Sequence, residues 1–141
     1  MNSTLVQAKD LLIKEKCTCV FTNGEQIFSS TRRGVAPLLE LIDNGNDYSG
    51  YFAADKVVGA GAAYLYVLLG VSAVWAQTVS EAARSLFDKY GIELHYENCV
   101  PHIINRTGDG ICPMENAVKD TSSPDDALDK IRSTLDKLNK A

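Results

Sequence analysis

From residue 55 to residue 69 the chain offers water no polar face. Val57, Val58, Ala60, Ala62, Ala63, Leu65, Val67, Leu68 and Leu69 fall on all sides of a helical wheel. A helix that is apolar all round is stable only when buried between layers. Gly59, Gly61, Ala62 and Ala63 leave room for a neighbour to approach its backbone. A short strand is predicted before it, at residues 50–53, and a central strand after it, at residues 71–76. A strand, a buried helix and a second strand make a parallel crossover unit, so the chain must build a sheet with helices packed on it.

The rest of the sequence fills in that frame. Leu5, Ala8, Leu12 and Ile13 predict an amphipathic helix over residues 4–15. Two β-rich runs, 17–22 and 26–30, flank Asn23-Gly24, a strong short-range hairpin signal. A helix over about 34–42 places Leu38, Leu39, Leu41 and Ile42 on its core side, and a polar loop over 43–47 ends it. Thr78-Val79-Ser80-Glu81 reads as a capping box for a helix that runs to Tyr90 and stops at Gly91. Residues 92–96 alternate as a strand does. Two last helices begin near Pro113 and Pro124. In the second, Ser123 is the N-cap, Asp125 and Asp126 lie in the first turn, and Leu128, Ile131, Leu135 and Leu138 form the buried stripe. Trp75 and Tyr64 are most simply core or interface groups. The expected architecture is one α/β domain spanning 1–141: a three-layer α/β/α sandwich, with a mixed sheet of about five strands and an N-terminal β-hairpin at one side.

Composition narrows the partners. A net charge of −4 argues against a nucleic-acid-binding surface, though not against a local basic pocket. No apolar run reaches the roughly 18 residues that a membrane span needs. Met1-Asn2-Ser3-Thr4-Leu5 does not begin a signal peptide, so a cytoplasmic location is expected, with Cys17, Cys19, Cys99 and Cys112 as reduced thiols. Cys17 and Cys19, two apart on a strand, are expected on one face. No motif specifies a cofactor.

In α/β sheets ligands sit at the carboxyl ends of strands, beside helix N-termini with their free N–H groups. Two expected helix openings have that character: Ala53-Ala54-Asp55-Lys56-Val57-Val58-Gly59, and the Gly-rich run Asn105-Arg106-Thr107-Gly108-Asp109-Gly110 leading into Ile111-Cys112-Pro113-Met114-Glu115. Cys112 at a helix N-terminus is a candidate activated thiolate, or a half-buried turn cysteine. Glu115 is a general acid/base or metal ligand, or a carboxylate bonding back to free N–H groups. Asp55 caps its helix or serves the site. Lys56 in a first turn opposes the helix dipole unless an anion lies nearby. Asn105, Arg106, Gly108 and Gly110 can form an anion-binding loop, with Arg33 as a further contact; a solvated surface turn is the alternative. His102 could titrate in the same pocket.

The element order resembles the cytidine deaminase-like fold over nearly the whole chain. Deaminases of that fold open one helix with His-x-Glu and the next with Pro-Cys-x-x-Cys. Here Asp55-Lys56 and Cys112-Pro113-Met114-Glu115 stand at those places, without the histidine and second cysteine that zinc requires, so zinc-dependent deamination is not expected. Arg33-Gly34-Val35-Ala36-Pro37-Leu38-Leu39, Ala54-Asp55-Lys56-Val57-Val58-Gly59 and the segment from Asn105 to Glu115 resemble the DUF1893 family. That resemblance implies the same fold and site location and carries no defined activity.

Three functions follow as expectations. The first is a module binding a small anionic, nucleotide-like molecule at the two openings. The second is an enzyme using Cys112 as nucleophile or thiol carrier, helped by Lys56, Asp55 and Glu115. The third is a mixed metal site from Asp55, Cys112 and Glu115, with His102. A homo-oligomer, a dimer, is expected as well.

Overall fold

The computed structural model describes the chain except residues 33, 105–107, 109 and 141, and the side chains of residues 139 and 140. The elements run α1 (Ser3–Lys14), β1 (Cys19–Thr22), β2 (Ile27–Ser30), α2 (Ala36–Asn44), β3 (Phe52–Val58), α3 (Ala60–Leu69), β4 (Ala73–Ser80), α4 (Glu81–Tyr90), β5 (Glu93–Val100), α5 (Pro113–Ala117) and α6 (Pro124–Lys140). This is the order expected from sequence. The strands form one five-stranded sheet in the order β2-β1-β3-β4-β5. The hairpin pairs antiparallel with β3, and β3, β4 and β5 are parallel.

Helix α1 alone covers one face, lying over β1, β3 and β4. Leu5, Ala8 and Leu12 close there on Val20, Ala54, Ala73 and Trp75. On the other face α3 is the hub, touching α2, α4, α5 and α6. Its surroundings explain its composition: Tyr66 stacks on Phe21 at 5.6 Å, Tyr64 donates to the Thr121 carbonyl at 2.9 Å, and Gly61 faces Ile131 of α6. Tyr64 and Trp75 are both core groups.

Several local readings hold. Asn23 Oδ1 accepts from the Glu25 and Gln26 amides and fixes the hairpin turn. Ser123 Oγ accepts from the Asp126 amide, capping α6 at 3.2 Å. Gly91 ends α4 in the left-handed conformation.

Others are corrected. The cap of α4 is Ser80, whose Oγ accepts from the Ala83 amide, because β4 runs on through Thr78 as the partner of Val57 and Asn98. Cys17 and Cys19 belong to opposite sides of the sheet, since β1 begins only at Cys19 and Cys17 packs with α1. Ile13 and Leu138 are exposed; Ile13 is turned about 100° around the helix from the buried Leu12, and Leu138 lies in the last turn of α6.

Candidate functional site

The largest correction falls on the first helix opening. β3 does not stop at Ala53. It continues to Val58, and Asp55 and Lys56 are strand residues. The reason is pairing: Asp55 is opposite Cys19 in β1 and Ala76 in β4, and Val58 is opposite Val79. Gly59 is the N-cap of α3. Asp55 therefore caps no helix, and Lys56 meets no unfavourable dipole. Lys56 is exposed, and its amide bonds the Thr18 carbonyl at 3.1 Å.

One cross-strand row carries Ser30, Cys19, Asp55, Ala76 and Tyr96. Above its centre lies Tyr66 of α3, whose hydroxyl donates to Asp55 Oδ2 at 2.7 Å. Cys19 Sγ is 3.8 Å from the same hydroxyl. Asp55 Oδ1 accepts from the Val57 amide at 3.3 Å. Asp55 is 8% exposed, and Cys19 and Tyr66 less. A carboxyl group taken out of water resists ionising, and burial pushes Asp55 from 3.8 up to about 7; the Tyr66 hydrogen bond and the Val57 and Lys56 amides pull the other way. Burial and the Asp55 charge raise both the Cys19 thiol and the Tyr66 phenol. Cys19 is thus an inert thiol. Two residues further along β3, Val57 is 49% exposed, so the cluster lies directly beneath the surface at the carboxyl edge of the sheet.

The second buried carboxyl is Glu115, 6% exposed. Its Oε2 accepts from the Ala60 amide at 2.9 Å and its Oε1 from the Ile103 amide at 2.8 Å. Glu115 does bond to free N–H groups, but to those of a different helix and a loop. It occupies the N-terminus of α3, where an external anion was expected. The fit depends on Gly59: a Cβ there would stand 2.8 Å from Glu115 Oε2 and 3.2 Å from Ile103 Cγ1.

Cys112 is half-buried and is the N-cap of the five-residue α5. Its amide donates to the Ile103 carbonyl at 2.8 Å, and Ile104 pairs antiparallel with Ile111. Gly108 is exposed and in the left-handed conformation, and Gly110 is half-buried. Arg33, Asn105 and Arg106 lie outside the described residues. His102 is exposed.

The expected mixed metal site is not assembled. Among the described residues no three His, Cys, Asp or Glu side chains converge to hold an ion. The zinc of the deaminase-like resemblance does not fit either, because Glu115 is engaged by two amides and Asp55 by Tyr66. No described helix is long and apolar enough to cross a membrane. A separate groove between α2 and α6 carries Arg32 and Arg132, each paired to a carboxylate of α2, Glu40 at 3.2 Å and Asp43 at 2.7 Å.

The partners of Asp55 escaped sequence reading. Val57-Val58 before Gly59 was the available signal: β-branched residues extend a strand, and glycine is an acceptable N-cap.

The family profile described as TM1506, domain of unknown function (DUF1893), matches residues 7–135. The chain belongs to the DUF1893 family. The crystal structure of a DUF1893 family protein, TM1506 from Thermotoga maritima, is similar over 97% of this chain and 91% of that one, with a TM-score of 0.86 and 26% identity. No curated protein matches the chain. The DUF1893 fold is thus a mixed open sheet with helices on both faces, and the Asp55 and Glu115 clusters both lie within the matched region.

Proposed function

We propose that this DUF1893 domain is a cytoplasmic small-molecule-binding module on a deaminase-like scaffold without zinc. Its ligand is a small anion of the nucleotide type, seated at the carboxyl edge of the sheet beside the N-terminus of α3. The observation that carries this reading is Asp55, a carboxyl raised to about 7 directly under the exposed end of β3. A group with that pKa is largely uncharged in slightly acidic solution, where it does not repel an anion and can donate a hydrogen bond to one. The apolar surfaces of Val57, Ile104 and Ile111 supply stacking area. Lys56, next to Asp55 on the strand, points to the opposite, α1-covered face of the sheet and takes no part. Asn105, Arg106, Gly108, Gly110 and Arg33 are the proposed anion contacts. Because Glu115 already fills the α3 terminus, it supports the site and does not meet the ligand.

The test is a thermal-shift and calorimetric titration with adenosine and cytidine 5′-monophosphates and inorganic phosphate. Saturating nucleotide should raise the melting temperature by about 3 °C. Arg106→Ala should remove most of that shift, and Lys56→Ala and Cys112→Ser should keep it. Absence of any shift at millimolar nucleotide, or a shift indifferent to Arg106, overturns the proposal. The enzyme reading on Cys112 makes the opposite demand: its thiol must alkylate faster than the exposed Cys99.

A further inference from the structure

The two edges of the sheet are built differently. Four-residue β2 is too short to recruit another strand. β5 has eight residues, Glu93-Leu94-His95-Tyr96-Glu97-Asn98-Cys99-Val100, with no lysine, arginine or proline. Its ladder with β4 keeps one offset from Ala73↔Glu93 to Ser80↔Val100, so no bulge bends it away. No described strand pairs with its outer side. Apart from the charges of Glu93 and Glu97, the usual devices that blunt an edge are missing.

We propose that β5 is the contact between two copies of this chain, joined antiparallel into one continuous sheet around a two-fold axis at Tyr96. Such an axis stands perpendicular to the sheet and leaves each face on its own side, so only side chains of the same face meet, and the axis passes through a residue. Overlap and charge then select the register. An axis at Leu94 also sets His95 opposite Glu93, but it pairs only residues 93–95 of the strand. An axis at His95 sets Glu93 against Glu97 twice, and an axis at Glu97 sets Glu97 against itself; both are like-charge contacts. The axis at Tyr96 places His95 opposite Glu97 of the second copy, twice. The His95 ring already lies 3.0 Å from Glu93 of its own chain, so it sits among carboxylates when the edge is closed. On the helix-covered face the same axis brings the two Tyr96 rings together. Tyr96 is 41% exposed and its hydroxyl is bonded by Arg84 of α4. A cross-strand aromatic pair favours this contact. Two Cys99 Cα atoms are then about 20 Å apart, from six residues at about 3.4 Å each.

Sedimentation velocity on the full chain tests the proposal. Wild type should be a dimer. His95→Glu, which sets carboxylate against carboxylate, should weaken association at least tenfold while far-UV circular dichroism stays unchanged. His95→Glu with Glu97→Lys sets opposite charges face to face and should restore the dimer. A spin label on Cys99, in Cys112→Ser protein, should report a separation near that distance. A monomeric wild type, a dimer indifferent to His95→Glu, failure of the charge exchange to rescue, or a label distance far from about 20 Å each overturns it.

Discussion

Two carboxyl groups are buried at the same end of the sheet, and their partners give them opposite characters. Both Glu115 oxygens accept main-chain N–H groups, one at the start of α3 and one in the loop at Ile103. Asp55 is held chiefly by a phenol on the helix packed against it, with one longer amide contact. Main-chain donors cannot rotate away or give up their protons, so Glu115 is a fixed strut. The Asp55 group is desolvated and only partly compensated, and it exchanges a proton near neutrality. One carboxyl holds the edge in shape, and the other is poised to respond to what arrives there.

Removing the strut should have the largest effect. Glu115→Ala leaves two buried amides without acceptors, and each bond to a charged group contributes about 1.5–3 kcal/mol, so a loss of about 4 kcal/mol is expected. Glu115→Gln keeps one acceptor and should lose about half as much. Urea denaturation reads both. A loss below about 1 kcal/mol for the alanine variant would mean that the loop and α3 hold together without Glu115.

The Asp55 half of the comparison is read by pH. Its folded pKa lies above its unfolded one, so the folded state binds the extra proton between pH 4 and 7. The stability this group contributes is therefore full below about pH 4 and is lost as pH rises through about 7. At about 1.4 kcal/mol per pKa unit the full loss is about 4 kcal/mol, of which about 3 kcal/mol falls between pH 5 and 8. Asp55→Asn carries no such titration, so the variant should gain on wild type as pH rises from 5 to 8. Tyr66→Phe removes a bond that lowers the Asp55 pKa, and should move the midpoint of that gain to higher pH. A difference between wild type and Asp55→Asn that is flat with pH would remove the distinction between the two carboxyls.

Much of this architecture was written in local signals. The buried character of α3, the Asn23-Gly24 turn, the Ser123 cap and the Gly91 stop each depend on residues within one or two turns of chain, and each was legible. The boundary of β3 was not. Asp55 suits a helix cap, but its conformation is set by Cys19 and Ala76 on the neighbouring strands. Tertiary pairing overrode residue preference. The role of Glu115 was half legible: a carboxylate seeking free N–H groups was foreseen, yet its donor partners lie 55 and 12 residues away. No spacing rule reaches that far.

Gly59 gives the finest test, because it is where the strut meets the helix. Its φ of −94° suits any residue, so an added methyl meets only the contact with Glu115 and Ile103. Gly59→Ala should cost about 2 kcal/mol as overpacking. In the Glu115→Ala background the nearest obstacle is gone, leaving Ile103 Cγ1 at 3.2 Å, and the same methyl should cost about 0.5 kcal/mol. The double-mutant cycle thus isolates one contact. Equal costs in the two backgrounds would show that the glycine is required by the chain path, and that Glu115 is a neighbour and not the cause.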